Sequence, residues 1–503
     1  MNLHDLFAIP QRRDPHKVAL HSLDLPSTTP QHTIRYDELF AASDRLATGL
    51  QQWGLRKGDR VAFYIGSRLE LVVAYLAVIR LGAIVVPINL RYRRLEINHI
   101  LHDCTPRLIV TEQTQLAVLT EALDDNAIPT SIEATLLAEE ILQWGADVET
   151  LPVPVVEAND LALIIYTSGT TGRSKGAMIS HNNVIATVTA LLAAWAWEPQ
   201  DKLLLCLPLF HTHGLIVGLH CALAAGATVL LREKYSDKIV DDLLSGEPTL
   251  FFAVPTIYVR LLETLHQVSS SDFRHMRLFC SGSAPLAPEI HAAFYEYTGH
   301  TILERYGMTE TGMNLSNHYA GSRIAGTVGT PLPGVFMRIV DQKNQDVKLG
   351  EEGELLVCGS NVFRGYWNAP EKTTENFSHD ALGQQWFHTG DLARQDPATG
   401  FVTLLGRRHE LIISGGFNIY PREIEEMLTT FPGISEAAVI GEPHNEWGEV
   451  PVAYLVCTES IDEDALINHC RNSLASFKVP RQFYKVDELP RNAMGKLQKH
   501  LLR

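Results

Sequence analysis

Two periods of hydrophobic and polar positions run along most of this chain. Leu161-Ala162-Leu163-Ile164-Ile165 is a short unbroken apolar run, which predicts a buried strand. Val61–Ile65, Ala83–Ile88 and Leu108–Thr111 read the same way, and between the early runs Tyr36–Trp53, Leu69–Leu81 and Leu95–Asp103 read as helices. The rest of residues 1–60 reads as an irregular start, and residues 113–158 as peripheral helices and a connector. The alternation resumes after residue 176 with a helix, Asn182–Trp197. Strands follow at Leu203–Leu207, Thr228–Leu231, Leu250–Ala253, Arg277–Cys280 and Thr301–Glu304. Strands alternating with helices imply an α/β fold of parallel sheets covered by helices. From Thr327 to Val357 the strands crowd together with short turns, which predicts a smaller β-rich subdomain, closed by a strand over Gly400–Gly406. Helix Arg422–Thr430, strands Ala437–Ile440 and Ala453–Val456, and helix Glu463–Ala475 then predict a small α+β domain. The expected division is residues 1–406 and 407–503.

The strand over Leu161–Ile165 empties into Tyr166-Thr167-Ser168-Gly169-Thr170-Thr171-Gly172-Arg173-Ser174-Lys175-Gly176. Backbone that can approach closely, hydroxyl donors and two cations are what a polyphosphate requires. A Walker A loop demands Gly-Lys-Ser/Thr, and the order here is Ser174-Lys175-Gly176. The competing reading is an ordinary surface turn, since Gly, Ser and Thr also make turns.

Composition changes the picture in two respects. Lys and Arg number 42 against 58 Asp and Glu, a net charge of −16. That argues against nucleic acid or an anionic membrane as partner, so polyanionic substrates must be met by locally placed cations. Seven scattered cysteines (104, 206, 221, 280, 358, 457 and 470) include no Cys-x-x-Cys pair. They point to free thiols in a reducing, cytoplasmic setting rather than to zinc. No signal peptide and no apolar run of membrane-spanning length is expected, and the chain is expected to be a monomer or weak dimer.

Several ordered segments resemble the adenylate-forming superfamily of acyl-CoA synthetases, luciferases and peptide-synthetase adenylation domains. They are Tyr166–Gly176, Tyr306-Gly307-Met308-Thr309-Glu310, Thr389-Gly390-Asp391, Gly406-Arg407 and Pro490–Lys496. The resemblance covers nearly the whole chain. It implies that Thr167, Ser168, Gly169, Thr170, Thr171, Gly172 and Lys175 hold ATP phosphates. It implies that Glu310, with Thr170, holds Mg²⁺, a cation that takes hard oxygen ligands and bridges phosphates. Thr309 would lie beside the phosphates and Tyr306 would stack on adenine, with Gly307, Glu304, Ser283, Ala284 and Pro285 lining the nucleotide. Asp391 and Arg407 would bind ribose, as an ionised Asp accepts the paired hydroxyls. Lys496 would be the catalytic cation, bridging the attacking carboxylate and the α-phosphate. Read in isolation, Glu310, Asp391, Arg407 and Lys496 would each pass for a solvated or loop residue.

The implied reaction has two halves. A carboxylate attacks the α-phosphate of ATP and releases pyrophosphate, and the thiol of coenzyme A then displaces AMP. The resemblance implies that the small domain is mobile and rotates between the halves, with Ser414, Gly415, Gly416 and Phe417 lining a thiol tunnel. The pivot, usually Asp or Lys, is here His409, followed by Glu410. A histidine pivot makes the rotation a candidate for pH sensitivity near neutrality.

The acid is addressed by two residues. Arg260, in Val254-Pro255-Thr256-Ile257-Tyr258-Val259-Arg260, and Ser283, in Cys280-Ser281-Gly282-Ser283-Ala284-Pro285, offer a guanidinium and a hydroxyl to a second carboxylate. Arg260 reads equally as a surface helix cation. Leu207–Leu215, Ser281–Leu286, Leu303–Asn314 and Ser414–Pro421 resemble the malonyl-CoA synthetase branch. That resemblance implies that Arg260 and Ser283 bind the distal carboxylate, that His211 lines the pocket and that Met313 shapes its wall. The expected substrates are malonate, or methylmalonate, with ATP and CoA. The alternatives are another short-chain acid, or an adenylation enzyme that loads a separate carrier protein.

Overall fold

The computed structural model describes residues 1–25, 32–123, 131–143, 152–167, 174–265, 270–414, 417–444, 447–474, 476–492 and 496–502. It divides into two compact units, Met1–Phe336 with Val357–Phe387, and Met337–Leu356 with His388–Arg503.

The first unit holds two large sheets. In the six-stranded sheet the order is Ala134–Leu137, Leu108–Thr111, Arg60–Tyr64, Ile84–Pro87, Leu161–Thr167 and Lys175–Ser180. All neighbours are parallel except the last pair. In the nine-stranded sheet the order is Thr330–Pro331, Gly312–Ser316, Leu303–Met308, Leu278–Ser281, Leu250–Ala253, Lys202–Leu205, Thr228–Leu231, Val18–Ser22 and Thr33–Arg35. Its middle is parallel, with antiparallel strands at both ends. The α/β expectation therefore holds. In the helix Leu69–Arg80 every residue from Leu71 to Ile79 is buried. That follows from an apolar surface all the way round, the mark of a core helix. Each large side chain so buried contributes about 1.5–3 kcal/mol.

Several elements differ from the sequence reading. The start is not irregular: Leu3–Arg13 is a helix whose N-cap, Asn2, accepts from the Asp5 amide while the Asp5 carboxylate accepts from the Asn2 amide. Pro10 inside that helix hid it from a propensity argument. The phosphate-type loop runs into an antiparallel strand, Lys175–Ser180, not directly into the helix, which spans His181–Ala194. That strand hydrogen-bonds on both sides, to Leu161–Thr167 and to residues 364–367, so it shows no alternation of buried and exposed positions. The strand expected over Thr301–Glu304 runs on as Leu303–Met308 and turns back into Gly312–Ser316. Gly307 permits this turn: a Cβ there would lie 2.1 Å from the Gly312 carbonyl oxygen and 2.5 Å from Met313 Cε.

The second unit contains the strands Val402–Arg407, Ile434–His444 and Gly448–Cys457 and the helices Pro421–Thr429 and Glu463–Ser473. The long hairpin of Ile434–His444 with Gly448–Cys457 packs Val439, Ala453 and Leu455 against Ile424, Leu428 and Leu466 of the two helices. This is the α+β arrangement expected for the C-terminal part.

Candidate active site

Parallel neighbours carry their chain ends to the same edge of a sheet, where ligands of α/β proteins bind. In the first unit the adjacent strands Lys202–Leu205, Leu250–Ala253, Leu278–Ser281 and Leu303–Met308 do this. Their continuations carry His211, the start of helix Pro255–Leu265, Ser283 and Glu310.

Glu310 sits in the turn after Leu303–Met308 and is buried. Its Oε1 accepts from Tyr366 Oη at 3.0 Å and from Thr167 Oγ1 at 3.3 Å. Thr167 ends the strand Leu161–Thr167 and stands opposite Lys175 across the hairpin. Lys175 Nζ lies 5.5 Å from the centre of the Tyr366 ring. The structure thus gathers Thr167 and Lys175, from one hairpin, with the sequence-distant Glu310 around Tyr366. Tyr366 was not singled out by the sequence reading, and no motif marks it. Ser168, Gly169, Thr170, Thr171 and Gly172 lie outside the described residues, as do Gly415, Gly416 and the side chains of His409 and Phe417.

Tyr306 and Met313 are buried on facing strands, and Met313 pairs with Gly307. Thr309 is half-buried in the turn. Glu304 is committed elsewhere: its Oε1 accepts from the Gly326 amide at 3.0 Å and lies 3.6 Å from His291 Nε2. Ala284 and Pro285 are exposed in the loop after Ser283.

A second cluster forms around Ser283. This residue adopts φ 73°, a left-handed conformation unusual for serine and typical of strained functional loops. Its Oγ lies 3.3 Å from His213 Nδ1. His213 is buried at the start of a π-helical segment, His213–His220. Burial first, then the charges of Arg305 and His211, hold its imidazole well below the ordinary histidine range, so the ring is neutral. The pairing of Cys280 with Leu303 and Ser281 with Glu304 brings Gly282 against Arg305. A Cβ on Gly282 would fall 2.4 Å from Arg305 Cζ, so the guanidinium lies directly on that backbone. Arg305 is 4% exposed, and its Nε and Nη2 have no hydrogen-bond partner among the described residues. Ser281 Oγ and Thr212 Oγ1 are likewise buried without one. A buried cation with unmade hydrogen bonds is costly unless an anion completes it.

His211 is half-buried on the loop leading to this segment. Arg260 is exposed on Pro255–Leu265, 5.8 Å from the Tyr235 ring centre. The sequence reading missed His213 and Arg305 although both fall inside stretches it compared. The available signal was a charged residue within a strand pattern, Leu303-Glu304-Arg305-Tyr306.

In the second unit Arg407 Nε lies 2.9 Å from Asp391 Oδ1, the two standing opposite each other on paired strands. Arg407 also donates to the Thr389 carbonyl at 3.0 Å. Next in sequence, Arg408 Nη1 lies 2.7 Å from Glu354 Oε2, which is also 3.2 Å from His388 Nδ1. Burial alone would raise the Glu354 carboxyl. The hydrogen bond and charge of His388, with the charge of Arg408, bring it below its ordinary value. Ser414 is buried and pairs with Phe417 across a short hairpin. Lys496 is exposed, and its amide donates to Asn492 Oδ1 while its carbonyl accepts from the Asn492 amide.

Residues 7–367 match the AMP-binding enzyme family, and residues 423–496 match the AMP-binding enzyme C-terminal domain. A mitochondrial malonate–CoA ligase of Homo sapiens is 36% identical over 519 residues, spanning 94% of this chain and 88% of that protein. A sulfoacetate–CoA ligase of Cupriavidus necator is 33% identical over 475 residues, spanning 93% and 92%. ATP-bound MatB from Rhodopseudomonas palustris superposes with a TM-score of 0.91 at 39% identity, covering 100% of this chain and 98% of that one. Matched over both of these segments and by relatives along nearly its full length, the chain belongs to the AMP-binding enzymes, the adenylate-forming superfamily.

Proposed function

We infer that the chain is a malonyl-CoA synthetase, an AMP-forming acid–CoA ligase. The observation that carries this reading is Arg305, a buried guanidinium lying on the Gly282 backbone, whose Nε and Nη2 have no hydrogen-bond partner among the described residues. A fatty or aryl acid has no use for such a group, whereas a dicarboxylate has a second carboxylate for it. The malonate–CoA ligase relative supports the same acid. Methylmalonate, with one more methyl group, is the further candidate.

In the first half-reaction one malonate oxygen attacks the α-phosphorus of ATP. A P–O bond forms, the bond to pyrophosphate breaks, and malonyl-adenylate results. Thr167 and Lys175, with the loop between them, take the β- and γ-phosphates. Tyr306 stacks on adenine, and Asp391, held by Arg407, accepts from the ribose hydroxyls. Lys496 bridges the attacking carboxylate and the α-phosphate as charge develops there. In the second half the CoA sulfur attacks the acyl carbon, the bond to AMP breaks, and the thiol proton leaves. Ser414 to Phe417 line the pantetheine path, and residues 407–503 move about His409 between the halves.

Among the described residues no group of three or more His, Cys, Asp or Glu could hold a metal ion. Mg²⁺ suits such a place, because it binds through one or two carboxylates plus substrate phosphates. Glu310 fits: among the described residues both hydrogen bonds to its carboxylate fall on Oε1, so Oε2 is the oxygen it would offer. When bound, Mg²⁺ would neutralise phosphate charge. The seven cysteines are free and mostly buried, which supports a reducing compartment such as the cytoplasm. We propose a monomer or weak dimer.

CoA-dependent AMP formation with malonate, methylmalonate, sulfoacetate, succinate, propionate and acetate tests the reading. Malonate is expected to lead. Sulfoacetate, which also carries a second anion, would replace it if the distal group is a sulfonate, as the Cupriavidus relative allows. A lead for propionate or acetate would discard the two-anion pocket.

A further inference from the structure

We infer that His213 is a positioning residue for the acid: as the Nδ1–H tautomer it donates to Ser283 Oγ and so turns the Ser283 hydroxyl proton toward the second carboxylate. This rests on the malonyl-CoA synthetase reading above.

A neutral imidazole has one N–H and one lone pair. His213 Nδ1 faces Ser283 Oγ at 3.3 Å, and Nε2 is buried with no partner among the described residues. Two arrangements follow. If Nδ1 accepts, the serine proton is consumed by the ring, and Ser283 shows only lone pairs to an incoming anion. Nε2–H is then a buried donor without an acceptor, in a place already rich in unmade donors from Arg305. If Nδ1–H donates, the serine proton is released for the acid, and Nε2 is a lone pair within the field of the Arg305 charge. Only the second arrangement leaves the Ser283 O–H free to donate, which is what a carboxylate requires.

Burial and the Arg305 charge keep the ring neutral, so the arrangement does not change sign with protonation. Gly214, the next residue, approaches the chain so closely that a Cβ would fall 2.3 Å from the Pro208 carbonyl oxygen, which anchors the start of the π-helical segment. A serine held at φ 73° with a buried imidazole behind it has its hydroxyl direction set before substrate arrives.

The test uses His213→Asn and His213→Gln in the full-length enzyme. Asn places its amide near the Nδ1 position and Gln places it near Nε2. We expect Gln to raise the malonate KM about tenfold relative to the ATP KM, the loss of one hydrogen bond to a charged group, and Asn to recover most of it. On a Ser283→Ala background the Gln substitution should add less than about twofold, since both changes remove the same contact. Equal effects of Asn and Gln, a parallel rise in both KM values, or full additivity with Ser283→Ala would overturn the assignment. The wild-type acid preference separates the two levels. An enzyme that favours monocarboxylates refutes the proposed function itself, whereas one that favours malonate but treats Asn and Gln alike refutes only the role of His213.

Discussion

Single residues divide into those whose role is proposed from a short motif and those whose chemistry is made by neighbours. Lys496 belongs to the first kind. Lys496→Ala should slow malonate-dependent ATP–pyrophosphate exchange by about 10²–10³, the usual cost of one lost donor in a water-excluded site. Thiolysis of preformed malonyl-adenylate should fall far less; an equal loss in both halves would remove Lys496 from the adenylation step. Arg305 belongs to the second kind. In sequence it is one cation in a strand pattern, and only its burial against Gly282, with donors left unpaired among the described residues, makes it the proposed partner of an anion. Arg305→Met should therefore raise the malonate KM by about 10–100-fold, on the scale of hydrogen bonds to a charged group. Arg260→Ala should raise it less, because Arg260 is exposed against Tyr235. Steady-state kinetics on the two variants side by side decides which arginine meets the acid.

Elements were legible where one period dominated. The strands Leu108–Thr111, Thr228–Leu231 and Leu250–Ala253 and the helix Tyr36–Trp53 have the bounds that the apolar pattern predicts. They are buried on both faces, or on one clear stripe, so composition and period agree. Lys175–Ser180 escaped because Lys175, Gly176 and Ser180 leave neither an unbroken apolar run nor an alternation of buried and exposed positions. The hairpin from Leu303–Met308 to Gly312–Ser316 yields a prediction of its own. Gly307→Ala would drive a Cβ into the Gly312 carbonyl, an overlap no rotamer relieves. We expect a loss of about 1–3 kcal/mol of stability by denaturant unfolding, typical of overpacking. An unchanged unfolding midpoint would mean that the turn opens without penalty.

At the scale of the molecule two pH-linked outcomes follow. In the second unit Glu354 holds its proton less tightly when folded than its ordinary 4.5 implies. The sign is that of a depressed carboxyl: its stabilisation is present in full above about pH 4.5 and fades as pH falls through the folded value. Wild type should therefore exceed Glu354→Gln in stability near neutrality, with the gap narrowing in acid; a gap that widens in acid contradicts the pairing with His388 and Arg408. The second outcome concerns the pivot. His409→Lys should alter the pH profiles of the two half-reactions between about pH 6 and 8, where histidine titrates, and superimposable profiles would exclude His409 as a pH-sensitive hinge.

The sequence by itself determined the family and the order of its motifs, and it proposed a polyphosphate role for the stretch from Thr167 to Lys175. Those properties reside in residue type and short spacing, which the chain carries before it folds. It also carried the alternation that makes the sheets parallel. Only the tertiary structure decided which side chains meet. Thr167 and Tyr366 both donate to Glu310 Oε1, Ser283 meets His213, and Arg305 lies against Gly282 because Leu278–Ser281 pairs in parallel with Leu303–Met308. Strand pairing of this kind joins residues far apart in the chain, so its register depends on the whole core and no local window of sequence contains it.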